Sequence, residues 1–171
     1  RGLRVAVVAA LPFPFESGSQ IFVRDQLRAL TRAGAEPTLL CYASHDAPTP
    51  EDLDVIRAPS LLSSTPLRAG PNFAKPVADA ALTATYLSAH RRRNFDAVFA
   101  HNGEGALVAL AARRLAGVPV YYVAHTLLGC ELPVWGPAAM RGALASLGSG
   151  LDRFLAAASD GVVALSDAAA G

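Results

Sequence analysis

The chain has 171 residues, the length of one ordinary domain that buries most of its unfolded surface in a single core. Lys and Arg number 15 against 14 Asp and Glu, a formal net charge of +1, so no global field gathers DNA, RNA or anionic lipid and nucleic acid is set aside as a partner. Hydrophobic residues make up 52% of the chain, yet no uninterrupted apolar run reaches the roughly 20 residues that span a bilayer.

Arg1-Gly2-Leu3-Arg4 leads straight into a strand pattern rather than a signal peptide. Cys41 and Cys130 are too few for a disulfide framework and read as reduced thiols, Cys41 as a buried apolar residue. A soluble or at most peripheral protein in the cytoplasm is the expectation.

Leu3 to Ala10 is a nearly continuous apolar run, as a central parallel strand covered on both faces requires. A helix follows from about Ser19, with Val23, Leu27 and Leu30 on one face and Arg24, Arg28 and Arg32 on another, and Gly34 stops it. Ala35 to Tyr42 reads as a second strand and Val55 to Ala58 as a short third one near the sheet edge. A second helix is expected from about Asn72 to Arg92, with Pro76 in its first turn and Leu82, Tyr86 and Leu87 as its stripe. Arg91-Arg92-Arg93 reads as a solvated helix end at the amino edge of the sheet.

Ala97 to Ala100 is the fourth strand, and a helix from about Glu104 places Val108, Ala111, Ala112 and Leu115 on one face before Gly117. Val118 to Ala124 is the fifth strand, with Pro119 at its start. Leu127, Leu128, Leu132, Val134 and Trp135 make an apolar connection. A partner domain covering it is the default; an apolar-acceptor pocket or a membrane surface are the alternatives. Met140, Leu144, Leu147, Leu151 and Leu155 form the stripe of a last helix, Val162 to Leu165 a sixth strand, and Ser166-Asp167 the cap of one further helix. Alternating strands and helices argue for a doubly wound parallel α/β sheet of six or seven strands with helices on both faces, Rossmann-like in type. With no initiator methionine and a break at Gly171 where another helix is due, the chain reads as part of something larger.

Three strands stop at polar clusters: the Pro12 to Ser19 loop, His101-Asn102-Gly103-Glu104-Gly105, and His125-Thr126. Parallel neighbours would deliver all three to one carboxyl edge, where open α/β sheets bind ligands. Gly18 leads into a helix whose first N–H groups suit a phosphate or carboxylate; equally, it is a turn glycine beside a Ser17 or Ser19 cap. The G-x-G-x-x-G dinucleotide fingerprint is absent. His125 can donate to a hydroxyl or a phosphate oxygen, or be satisfied by a backbone carbonyl. Asn102 and Glu104 read both as ligand contacts and as the cap and first turn of a helix. Asp52-Leu53-Asp54 resembles paired metal-binding aspartates but falls at the wrong edge, and no zinc spacing, G-x-S-x-G elbow or Walker loop appears, so no metal site is expected.

Arg4-Val5-Ala6-Val7-Val8 with the following loop, Phe22 to Leu27 with Leu30 and Gly34, Phe95 to Asn102, Gly117 to Val120, Ala124-His125-Thr126 and Asp160 to Ser166 together resemble the amino-terminal domain of a GT-B-fold glycosyltransferase of the retaining family 4. The resemblance covers essentially the whole chain. It implies an acceptor-side domain facing a second, carboxyl-terminal domain absent here that binds the nucleotide-sugar. It further implies a metal-independent transfer with no cofactor beyond the nucleotide-sugar as co-substrate, to a sugar or lipid-linked acceptor. Gly18, with Ser17 and Ser19, would approach the donor diphosphate and His125 the transferred sugar. Glu16, His101, Asn102, Glu104 and Thr126 would shape the acceptor site. The family commonly has two adjacent glycines in the first loop, whereas here Ser17 precedes Gly18. Two other readings use the same sheet: a non-catalytic carbohydrate- or nucleotide-binding module, and another GT-B-type enzyme such as a nucleotide-sugar epimerase.

Overall fold

The computed structural model describes residues 2–14, 18–43, 48, 50–60 and 74–165. Six strands appear among them: β1 (Arg4–Pro12), β2 (Glu36–Tyr42), β3 (Val55–Arg57), β4 (Ala97–His101), β5 (Val120–Ala124) and β6 (Gly161–Ala164). All pair in parallel, in the spatial order β3-β2-β1-β4-β5-β6. The connecting helices are α1 (Gly18–Arg32), α2 (Lys75–Arg93), α3 (Asn102–Ala116), α4 (Leu128–Trp135) and α5 (Arg141–Ala158). The chain winds outward from β1 to β3, then crosses back through α2 to lay β4 on the other side of β1. That reversal is the switch point at which such sheets open a crevice beyond their carboxyl ends.

Alternate residues of β1 explain why it is apolar throughout. Val5, Val7 and Ala9 pack with Val23 and Leu27 of α1 and with Leu39 and Cys41 of β2. Ala6 and Val8 face the opposite layer with Leu82, Tyr86, Val108 and Ala112. At Gly105 a Cβ would stand 2.9 Å from the Val8 carbonyl oxygen, so glycine is what lets α3 lie against β1. The buried face of α3 is Ala106, Val108, Ala109, Ala112 and Ala116. Of the expected stripe, Val108 and Ala112 lie on this face, whereas Ala111 and Leu115 point outward, Leu115 72% exposed, because small side chains are needed where the helix closes on the sheet.

Two aspartates begin the ladders. Asp96, just before β4, accepts from the Arg4 backbone N–H at 2.8 Å, and Asp160, just before β6, accepts from that of Val120 at 2.8 Å and pairs with Arg113 at 2.7 Å. The amino edge is laced by further ion pairs. Asp52 binds Arg28 at 2.8 Å, and Asp54 takes Arg93 and the Thr38 hydroxyl, the latter at 2.8 Å. Arg91 and Arg92 are exposed as expected, and Arg93, its side chain still 40% exposed, also joins this network. The two aspartates border a depression of about 600 Å³ at this edge, remote from the crevice.

Further differences from expectation have local causes. β5 begins at Val120 because Pro119 has no N–H for the ladder, although its carbonyl accepts from Val98 at 3.0 Å. The apolar connection after β5 contains a helix, α4, despite Pro133 within it. Asp152 of α5 accepts from the Leu128 and Gly129 backbone N–H groups at 3.0 and 2.9 Å, capping α4 from outside. Gly148 permits that contact, since a Cβ there would lie 2.3 Å from the Leu128 carbonyl oxygen. Of the expected α5 stripe only Leu155 is fully buried, and Met140, preceding α5, and Leu147 are exposed. The expected cap at Ser166-Asp167 and the start of α2 near Asn72 lie outside the described residues.

Candidate functional site

Register builds the centre of the site. Ala9 of β1 pairs with His101 of β4, and His101 with Val123 of β5. His125, two residues beyond Val123, then projects from the same face as His101 at the carboxyl edge. The two rings meet: His101 Nδ1 lies 2.8 Å from His125 Nε2, and His101 Nε2 lies 2.7 Å from Gln26 Oε1 of α1. Phe22, one helical turn before Gln26, sets its ring against His125 in a T-shaped contact with centroids 5.0 Å apart, and also approaches His101 at 6.0 Å. His101 is fully buried and His125 half-buried. Burial drives the His101 imidazole down to about 3, with a smaller push from His125, and burial lowers His125 as well. The neutral form of each ring is thereby favoured.

His101 is thus sealed, with both ring nitrogens engaged inside the protein, and it reaches a ligand only through His125. Phe22 and Gln26 belong to a segment that carries the family resemblance, but the sequence reading gives them no role in the site. The apolar stripe Val23-Leu27-Leu30 marked the inward face of α1, whereas Phe22 and Gln26 lie one residue earlier on the adjoining face. Their i, i+4 spacing, an aromatic and an amide beside that stripe, was the available signal.

The start of α3 holds the second part. Asn102 follows His101 with φ 59°, a left-handed conformation that asparagine tolerates better than most residues. It does not cap the helix. His101 occupies the cap position without a side-chain bond, and the Asn102 Oδ1 is buried without a partner. Glu104 is bound by Lys75 of α2 at 2.6 Å. Burial raises its carboxyl, against the lowering effect of Lys75. Beside it Tyr42, at the end of β2, donates to Asp79, whose carboxyl burial also raises. Thr126 is exposed and donates to Glu131 of α4 at 3.1 Å.

The third part is the start of α1. Gly18 is exposed, and a Cβ on it would meet nothing within 4 Å. Ser19 is half-buried. Gln20 is 6% exposed and donates through Nε2 to the Pro12 carbonyl at 2.8 Å, tying the helix to the end of β1. Arg57 of β3 donates to the Phe13 carbonyl at 3.1 and 3.2 Å and fixes the other side of that turn. Glu16 and Ser17 lie outside the described residues. Among the described residues no group of three or more His, Cys, Asp or Glu could hold a metal ion, and no helix is long and apolar enough to cross a membrane.

Solved structures share this architecture at low sequence identity. Sucrose-phosphate synthase from Thermosynechococcus elongatus aligns with a TM-score of 0.72 at 14% identity, over 94% of this chain and 41% of that one. MurG from Acinetobacter baumannii aligns at 0.55 and 16%, over 98% and 42%. A UDP-glucose:anthocyanidin 3-O-glucosyltransferase in complex with UDP aligns at 0.58 and 12%, over 96% and 47%. The chain therefore spans less than half the length of each. No curated protein matches it in sequence. Residues 17–171 match the family described as "Glycosyl transferase 4-like domain". The chain belongs to that family, with the Rossmann-like fold of an amino-terminal GT-B domain.

Proposed function

We propose that this chain is the acceptor-side half of an enzyme that moves a hexosyl group from a nucleotide-sugar to an acceptor hydroxyl with retention of configuration. The observation that carries the reading is the meeting, at one carboxyl edge beside the β1/β4 switch point, of the α1 amino terminus, the half-buried His125 and the polar start of α3. In this reading the first amides of α1, around Gly18, approach the donor diphosphate and stabilise the charge that grows as it leaves. His125 contacts the transferred sugar. Asn102, Glu104 and Thr126 bound the acceptor, and the sealed His101 acts through His125.

The bond between the anomeric carbon and the diphosphate oxygen breaks. The acceptor oxygen bonds that carbon on the same face, and its proton passes to the departing phosphate oxygen. No protein nucleophile, metal ion or organic cofactor takes part. A carboxyl-terminal donor domain supplies the opposite wall, and a sugar or lipid-linked acceptor enters between the two. The exposed Val134, Trp135 and Met140 are where peripheral contact with a membrane or the second domain would occur. A cytoplasmic setting belongs to the same proposal and suits the two free thiols, Cys41 and Cys130.

The test is a survey of nucleotide-sugars with the full-length protein, reading nucleoside diphosphate release and the anomeric configuration of the product. Replacing His125 by Ala lowers kcat/KM about 100-fold, the scale for removing one polar group that acts on the transition state. Failure to turn over any nucleotide-sugar, or an unimpaired His125→Ala variant, overturns the proposal.

A further inference from the structure

The hydrogen bonds around the two histidines form a chain with a direction. Gln26 presents a carbonyl oxygen, which has no proton to give, to His101 Nε2 at 2.7 Å. His101 Nε2 therefore carries a hydrogen. An imidazolium in a site with no exposure to water and no carboxylate bonded to it is strongly disfavoured, so His101 holds a single ring proton and its Nδ1 is bare. A bare Nδ1 at 2.8 Å from His125 Nε2 accepts, and His125 Nε2 must donate. His125, neutral too, is left with a bare Nδ1, which makes no hydrogen bond within the protein among the described residues. Phe22 holds the ring in place from the side.

We infer that Gln26 and His101 are positioning residues that fix His125 in one tautomer, so that its uncommitted Nδ1 accepts a hydrogen bond from a neutral ligand hydroxyl and has no proton to donate to a phosphate. The proton arrangement stands on the geometry alone; that the hydroxyl is a sugar's rests on the proposed function. A donating histidine would be indifferent between a hydroxyl and an anionic oxygen. An accepting one rejects the anion and requires the hydroxyl, because a ligand lacking it leaves the nitrogen unpaired.

Nitrogen-15 spectra of the histidine-labelled protein read the tautomer directly. The expected result at neutral pH is a protonated Nε2 and a pyridine-type Nδ1 on His125. His101→Phe removes the acceptor and lets His125 exchange between tautomers. His101→Asn, whose Oδ1 can stand where Nδ1 stood, restores the fixed form. Gln26→Glu stabilises a protonated His101, which then donates through Nδ1 and moves the His125 proton onto its own Nδ1. In turnover of nucleotide-sugars by the full-length protein, His101→Phe costs about tenfold in kcat/KM, one misdirected hydrogen bond, and His101→Asn recovers most of it.

A wild-type His125 protonated on Nδ1 overturns the inference, as does a His101→Phe variant with unchanged tautomer. Should His101→Phe not fold, the wild-type spectrum and His101→Asn decide. The fixed tautomer in a protein that turns over no nucleotide-sugar would sink the transfer reading alone. Transfer by a protein whose His125 carries its proton on Nδ1 would sink this inference alone.

Discussion

His101 and His125 are the same residue type 2.8 Å apart, and depth separates their roles. For His101 the folded value, about 3, lies below the ordinary 6.5. The unfolded chain therefore binds the proton more readily. Stability contributed by the neutral ring is fully present above about 6.5 and is lost as pH falls toward the folded value, at about 1.4 kcal/mol per pH unit for one proton. Urea unfolding of His101→Asn, which has nothing to titrate there, is expected to show a shallower loss of stability over that interval than wild type; identical slopes would contradict the burial argument. Gly18 offers the opposite separation. With open space around it and no left-handed backbone, the fold does not require glycine there, so Gly18→Ala should leave thermal stability unchanged or raise it by about 0.5–1 kcal/mol. If the donor diphosphate approaches that backbone, the same methyl group raises KM for the nucleotide-sugar several-fold. An unchanged KM would remove Gly18 from the donor site. Both histidines were legible in the sequence because each closes an apolar run with a titratable group. Their bond to one another was not, since it depends on the register that pairs His101 with Val123.

At the scale of elements, some of the segments that carried the family resemblance serve the sheet itself. Asp96 and Asp160 start β4 and β6 and accept a backbone N–H from the neighbouring strand, so their part in the pattern is architectural. Asp160→Ala removes a charge-assisted bond to the Val120 N–H and is expected to cost about 1.5–3 kcal/mol by denaturant midpoint, the exposed pair with Arg113 adding little. A loss below about 0.5 kcal/mol would mean that water replaces the carboxylate at no cost. The strands and the helices α1 to α3 were legible because their periods and stops are local: Gly34 and Gly117 end α1 and α3 with φ 85° and 67°. The full face of α3 was not: Val108 and Ala112 are on it as expected, but hydrophobicity favoured Leu115 while close packing on Val8 favoured alanines and Gly105. Nor was α4, whose proline and eight-residue length hide it and whose cap, Asp152, comes from α5.

On the scale of the whole molecule, the sheet separates two edges of different character. At the amino edge, Asp52, Asp54 and Asp96 pair with Arg28, Arg93 and Arg4, which holds strand ends together. At the carboxyl edge, among the described residues, the buried Asn102 Oδ1 and the His125 Nδ1 have no partner within the protein, and the groups there come from β1, β4, β5 and three helices. In the proposed function, such an edge is one wall of a crevice that a second domain completes. Transfer between two substrates requires both to be held in line with the reacting carbon, and the advantage of that fixed geometry amounts to about 7–11 kcal/mol of barrier. One wall can bind a partner but cannot align it against a second. The 171-residue chain on its own is therefore expected to unfold in a single cooperative transition, as a domain with one continuous sheet should. Mixed with nucleotide-sugar and acceptor, it should release nucleoside diphosphate no faster than buffer. A chain that folds cooperatively and still transfers sugar at an ordinary enzymatic rate, about 1 per second or more, would show that this edge holds donor and acceptor together, and the two-wall account would have to be abandoned.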